Sequence, residues 1–225
     1  MGNRILSWEG CKNVRDLGGL RTTDGRITRF GQIVRSDTPS LLTDAGWAAL
    51  YDFGVRTIVT LRTHGMQESE LDFTSPYPDI ETIQIPIEDV TDEDFVKRWA
   101  LTELWGTPLY YQDALQRWPE RHAAALSAIA QAQPGAVLFH CIRGHDRTGI
   151  ITLLLLNLIG TEPDEILADY ELSVDPERDE LLKKHKISGR EVLLGTLDSL
   201  DVHRYLLKGG ASEADLAAIR QRLLG

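Results

Sequence analysis

Cysteine is scarce in this chain. Cys11 and Cys141 are the only two among 225 residues, which excludes a disulfide framework and points to a reducing compartment. Positive charge is also short: Lys and Arg total 24 against 34 Asp and Glu, a formal net charge of −10. Such a balance argues against nucleic acid as a partner and against a polybasic membrane patch. Long apolar runs are missing too. The richest stretch, Ile150 to Ile159, is interrupted by Thr152 and Asn157 and is too brief to span a bilayer, so no stable membrane insertion is expected. The opening residues MGNRILSWEG hold neither a long apolar core nor a small-residue cleavage site. No signal peptide is therefore expected and the chain reads as cytoplasmic, with export by an uncleaved route left open. Hydrophobic residues make up 42% and charged residues 26%, ordinary values for a globular fold. The length suits one domain over 1–225.

What is there centres on Ala136 to Gly149, AVLFHCIRGHDRTG. The apolar run Ala136-Val137-Leu138-Phe139 predicts a short buried strand, and the proline-free segment from Thr148 through Leu156 predicts a buried helix. A strand, a tight loop and a helix N-terminus make an anion site, because loop and first-turn N–H groups converge with the helix dipole behind them. Cys141 at the strand end sits in that positive field, which favours its thiolate. Arg147, where the loop closes, presents a planar fork that can hold two phosphate oxygens.

His140-Cys141-x-x-Gly144-x-Asp146-Arg147-Thr148-Gly149, with Asn13-Val14-Arg15-Asp16-Leu17-Gly18-Gly19 upstream, resembles the bacterial atypical tyrosine and phosphoinositide phosphatases of the Cys-x5-Arg superfamily. The resemblance runs from about Gly10 to the C-terminal helix. It implies a phosphatase that forms a phosphocysteine intermediate and needs no metal or other cofactor. Cys141 would be the nucleophile and Arg147 the clamp, with Ile142, Arg143, Gly144, His145, Asp146 and Thr148 around the phosphate. Supporting roles fall to His140, to Arg15 and Asp16 in the upstream motif, and to Arg62. Relatives carry an aspartate before the arginine matching Arg62, where this chain has Thr60-Leu61. The family's acid loop matches Asp89, after Pro86, as the leaving-group acid, and Asp146 is the runner-up. His145 stands where relatives carry lysine and, with an ordinary pKa near ~6.5, would be neutral at pH 7.5 and charged at pH 5.5.

Local signals order the remaining elements. Strands are predicted at Ile5–Trp8, Gly31–Arg35, Val55–Leu61 and Ile80–Ile85, with Asp24-Gly25 as a hairpin turn. Thr43 caps a helix over Asp44–Phe53 that Gly54 ends. A capping box, Thr91-x-x-Asp94, predicts a helix to about Leu104. Further helices are expected from Tyr110 to Gln131 with a break at Pro119, then Thr161–Ser173, Pro176–His185, Gly189–Leu207 and Glu213–Leu224. The fold class is α/β: a small, largely parallel central sheet with helices on both faces and Cys141 at the carboxyl ends of the strands.

The aromatic-rich residues 91–112 form a helical insertion, read either as a lid over the site or as a completion of the core. Expected partners are a phosphorylated protein or peptide or a phosphoinositide; the oligomeric state stays open. A phosphoinositide phosphatase would share every catalytic residue. A rhodanese-type sulfurtransferase has no need of Arg147, and an inactive phosphate-binding module would have lost the nucleophile or the clamp.

Overall fold

Strands form where β-branched and apolar residues run without polar alternation, a pattern that asks for burial on both faces. In the computed structural model, which describes residues 3–225, the strands are β1 (Arg15–Asp16), β2 (Ile33–Ser36), β3 (Val55–His64), β4 (Glu81–Asp89) and β5 (Ala136–His140), and the pattern is strongest in β3 and β5. Their order is β1-β2-β5-β3-β4, and every pairing is parallel except β1 with β2. All of β5 is buried at the sheet centre. Its side chains alternate, Val137 and Phe139 joining one core and Ala136 and Leu138 the other, as the period of a strand requires.

The first core lies against α4 (Pro119–Ala130) and α5 (Asp146–Leu158), and the second against α1 (Asp44–Phe53). The remaining helices are α2 (Glu93–Phe95), α3 (Tyr111–Arg117), α6 (Pro163–Glu171), α7 (Pro176–Lys184), α8 (Gly189–Asp198), α9 (Val202–Lys208) and α10 (Glu213–Leu224). Helices thus cover both faces of a mostly parallel sheet, as expected. No helix among the described residues is long and apolar enough to cross a membrane.

α1 follows its sequence signals closely. The Thr43 hydroxyl accepts from the Gly46 amide, and Gly54 ends the helix at φ +101°, a left-handed turn that glycine adopts without a Cβ penalty. Four expectations are corrected. Ile5–Trp8 contributes only an isolated bridge from Ile5 to Arg15. β4 runs on through Pro86 to Asp89, where an irregularity in the pairing with β3 absorbs the proline. The helix after β4 is capped by Asp92, whose carboxylate accepts from the amides of Asp94 and Phe95, while the Thr91 hydroxyl donates to Asp89. That helix ends in a single π-turn at Val96–Ala100 and does not reach Leu104. Finally, Gly189–Leu207 is two helices, because the Asp201 side chain caps a new start at Val202.

Candidate active site

β5 delivers His140 and Cys141 to the carboxyl edge of the sheet, and α5 begins at Asp146, leaving four residues to turn the chain. The turn needs Gly144, which sits at φ +68°; a Cβ there would lie 2.4 Å from the Ser36 carbonyl oxygen. Outward hydrogen bonds hold the loop. The Thr38 amide donates to the Ile142 carbonyl at 3.1 Å. Asn13 Nδ2 donates to the carbonyls of Arg143 and Gly144 at 3.1 and 3.0 Å, and Arg35 Nη2 to Gly144 at 2.6 Å. Because a peptide N–H points opposite its C=O, carbonyls turned outward leave the loop amides for the concave side.

Those donors are themselves fixed. Arg15 donates to the Asn13 side-chain oxygen, which leaves Asn13 Nδ2 facing the loop. Arg15 and Arg35 share the buried carboxylate of Asp169, at 3.2 and 2.7 Å, and Arg4 joins them. Burial alone would raise the Asp169 pKa, but Arg35, Arg15 and Arg4 hold it well below the usual carboxylate range. Asp16 accepts from the amides of Gly18 and Gly31 at 2.8 and 2.7 Å, bracing the upstream turn. Arg62 lies apart from these contacts, bonded to the Glu68 carbonyl and to Asp72.

The pocket above Cys141 has a volume of about 250 Å³ and is lined by Met66, Glu68, Glu88, Trp105, Gly106, Tyr110, Ile142, Arg143, Asp146 and Arg147. Arg147 is buried and doubly held: its Nη1 donates to the Leu61 carbonyl at 2.9 Å and meets Glu68 at 2.8 Å, and Nε lies 3.9 Å from Glu88. Glu88 is buried and its pKa is raised by burial, while Arg147 and bonds from Tyr110 and Thr63 pull the other way. His140 is buried, with Nε2 2.9 Å from the Thr60 hydroxyl, and burial lowers its pKa to about 3. It is therefore neutral and orients the strand end. The Thr148 hydroxyl is buried without a protein partner. Gly149 leaves room for Tyr111, whose hydroxyl would lie 2.4 Å from a Cβ at that position.

Asp146 is half-buried in the pocket wall, with Oδ1 buried and Oδ2 3.6 Å from Arg143. Burial pushes its pKa up to about 7, against the opposing charges of Arg143, Arg178 and Arg147. Asp89 is not brought to this pocket. It closes β4 in a 2.6 Å ion pair with Arg121 and accepts from the Thr91 amide and hydroxyl. Partial burial would raise its pKa, but Thr91 and Arg121 hold it below the ordinary value. The expectation for His145 is also corrected. Its side chain is buried beside Asp175 at 3.4 Å, and burial with the Arg178 and Arg143 charges lowers its pKa to about 4, so it does not charge at pH 5.5.

The insertion contributes both to the core and to the pocket lining. Phe95 and Tyr110 are fully buried core residues, whereas Trp105 and Gly106 reach the pocket. Gly106, at φ +90°, passes so close that a Cβ would lie 3.2 Å from the Arg143 guanidinium and 3.5 Å from the Asp146 carboxylate.

Local patterns marked Cys141, Arg147 and the loop between them. They missed Asn13, Arg35, Glu68, Glu88 and Asp169 as partners. Asn13 was visible as part of the upstream motif; the others are charged residues without a motif of their own.

The tyrosine phosphatase family profile matches residues 6–225, and the chain belongs to that family. Among its relatives is a Cupriavidus necator protein with a provisional tyrosine-protein phosphatase name, 29% identical over 174 residues, covering 75% of this chain and 63% of that protein. The triple specificity protein phosphatase PtpB of Mycobacterium tuberculosis is 28% identical over 195 residues, 74% of this chain and 68% of its own. A tyrosine-protein phosphatase of Nostoc commune is 32% identical over 144 residues, 62% of this chain and 47% of its own. The chain thus spans about two thirds or less of these relatives.

Proposed function

We propose that this chain is a cysteine-dependent phosphatase that hydrolyses phosphotyrosine and some further phosphoesters through a phosphocysteine, folded as one domain with residues 91–112 as a lid. One observation carries the reading: Cys141, Arg147 and a half-buried, protonatable Asp146 line a single pocket of about 250 Å³.

The Cys141 thiolate attacks phosphorus in line while the Arg147 fork and the loop amides take up charge on the equatorial oxygens. As the bond to the leaving oxygen breaks, Asp146 transfers its proton to that oxygen. Water then attacks phosphorus, gives its proton back to Asp146, and expels the thiolate with inorganic phosphate as product. Thr148 supports the departing thiolate. Asn13, Arg15, Arg35 and Asp169 keep the loop in shape through the contacts already given. Glu68 and Glu88 aim the clamp.

Trp105, Met66 and Ile142 give the pocket apolar walls suited to a phenyl ring. The name of the Mycobacterium tuberculosis relative supports a range wider than phosphotyrosine alone. Polyphosphorylated inositol headgroups are disfavoured, because His145 is neutral and Arg143 is already engaged by Asp175 at 2.8 Å. Both cysteines are free, which fits action on phosphoproteins in a reducing cytoplasm.

The test is hydrolysis of phosphotyrosine peptide and an aryl phosphate in chelator. Wild type is expected to turn over both. Cys141→Ser should abolish turnover while retaining phosphate binding, and Arg147→Lys should fail because a point charge cannot replace the fork. A metal requirement, or substantial activity left in Cys141→Ser, would overturn the reading.

A further inference from the structure

A second, larger cavity of about 640 Å³ adjoins the catalytic pocket, and Ile142 and Arg143 line both. Its walls come from separate parts of the chain. Leu41 ends a 3-10 turn over Pro39–Leu41, Leu172 follows α6, and Val174 lies in the link to α7. These three side chains are 62%, 46% and 71% exposed. They are three of the eight large hydrophobics exposed among the described residues, and a fourth, Met66, lines the catalytic pocket. Scattered single exposures need no explanation, but convergence on one concavity beside a reactive site marks a binding surface.

Resting on the phosphatase reading, we infer that this cavity seats an apolar side chain of the substrate polypeptide, close in sequence to the phosphorylated tyrosine. Continuity selects the occupant. Since Ile142 and Arg143 belong to both walls, a phosphotyrosine in the first pocket directs its flanking chain into the second. The charges around the cavity are mixed, Lys12 and Arg143 sharing its lining with Asp37 and Glu70. Mixed charge suits a polypeptide that carries polar groups beside its apolar anchor. It does not suit an anionic bilayer, which is bound by clustered Lys and Arg and would be repelled by a chain of net charge −10.

The experiment compares Leu41→Ser, Leu172→Ser and Val174→Ser, singly and combined, on three substrates. These are a phosphotyrosine peptide with leucine residues on either side, the same peptide with serine in their place, and a small aryl phosphate. Wild type should favour the leucine peptide by roughly tenfold in kcat/KM, the scale of one apolar pocket contact. The triple variant should lose that preference through KM while its aryl phosphate turnover stays within twofold. Equal loss on all three substrates, or no change on the leucine peptide, overturns the inference and leaves the phosphatase reading intact. A loss confined to phosphoinositide vesicles also overturns it and assigns the surface to a membrane. No turnover of the aryl phosphate by wild type would instead sink the phosphatase reading, and the cavity assignment with it.

Discussion

Asp89 and Asp146 are the same side chain at two strand-to-helix corners of one sheet, and the protein shifts their proton affinities in opposite directions. At the end of β4, Asp89 accepts from the Thr91 amide and hydroxyl and pairs with Arg121, so it stays ionised. At the start of α5, Asp146 is half-buried and one of its oxygens is fully desolvated without a partner; that desolvation raises its pKa to about 7 despite three arginines. Desolvation outweighs attraction at the second corner and loses to it at the first. A carboxylate's neighbours, and not its distance from a strand end, decide whether it can give up a proton at neutral pH.

The strongest way to break this contrast is Asp146→Asn. It should slow phosphotyrosine hydrolysis by roughly 10²–10⁴-fold, the usual cost of losing acid catalysis. An aryl phosphate with a very acidic phenol should be nearly spared, since its leaving oxygen needs no proton. Equal loss on both substrates would mean that Asp146 shapes the loop and is not the proton donor.

A third carboxylate extends the comparison. Asp169 is more deeply buried than Asp146 but surrounded by Arg4, Arg15 and Arg35. Asp169→Asn leaves those guanidinium groups without their counter-charge and should cost about 3–5 kcal/mol of stability, read by denaturant unfolding. Because the folded pKa is depressed, this stabilisation is present above the ordinary carboxylate pKa of ~3.9 and is lost as pH falls below it. An unfolding midpoint unchanged by the substitution at pH 7 would show that the arginines find other partners.

The pH profile separates the first two acids more gently. A general acid must be protonated, so kcat/KM for phosphotyrosine peptide should fall above pH about 7, the value set by the Asp146 environment, by ~10-fold per unit well past it. Asp146→Asn should flatten that limb. Asp89, held below its ordinary value, contributes no step in the same range. The smallest effect is expected of Asp89→Asn itself, with phosphotyrosine turnover within about threefold of wild type, as for a peripheral ion pair. A loss of a hundredfold with sparing of the acidic phenol would return the acid role to Asp89.

Short-range chemistry was readable from the residues alone. Thr43 and Gly54 marked both ends of α1, Pro119 marked the break between α3 and α4, and the loop signature singled out Cys141 and Arg147, which share one pocket. The errors fell where several local solutions compete. Asp92 and Asp94 can each serve the start of α2, and only folding shows Asp92 taking the amides while Thr91 turns back to Asp89. The break at Ser199–Asp201 was hidden because the residues on both sides are good helix formers. Partners such as Glu68 for Arg147, or Asp169 for Arg15 and Arg35, leave no periodic trace. Their pairing depends on topology, and burial that removes water from a charge also removes the pattern by which a solvated charge is recognised.

The outward bonds that shape the loop also fix when the chain can become active. Gly144 depends on Asn13 and Arg35, which lie 131 and 109 residues before it, and those in turn lean on Asp169, 154 residues beyond Arg15. Contacts of such long sequence separation form late and slow the search for the native state. During synthesis Cys141 emerges well before α6, so the nascent thiol has neither its braced amide cradle nor the counter-charge that holds Arg15 and Arg35. The braced loop therefore forms only after the chain beyond residue 169 has been made and has folded back onto its beginning. A fragment ending after α5 would carry the whole signature and still lack the brace that lets it work.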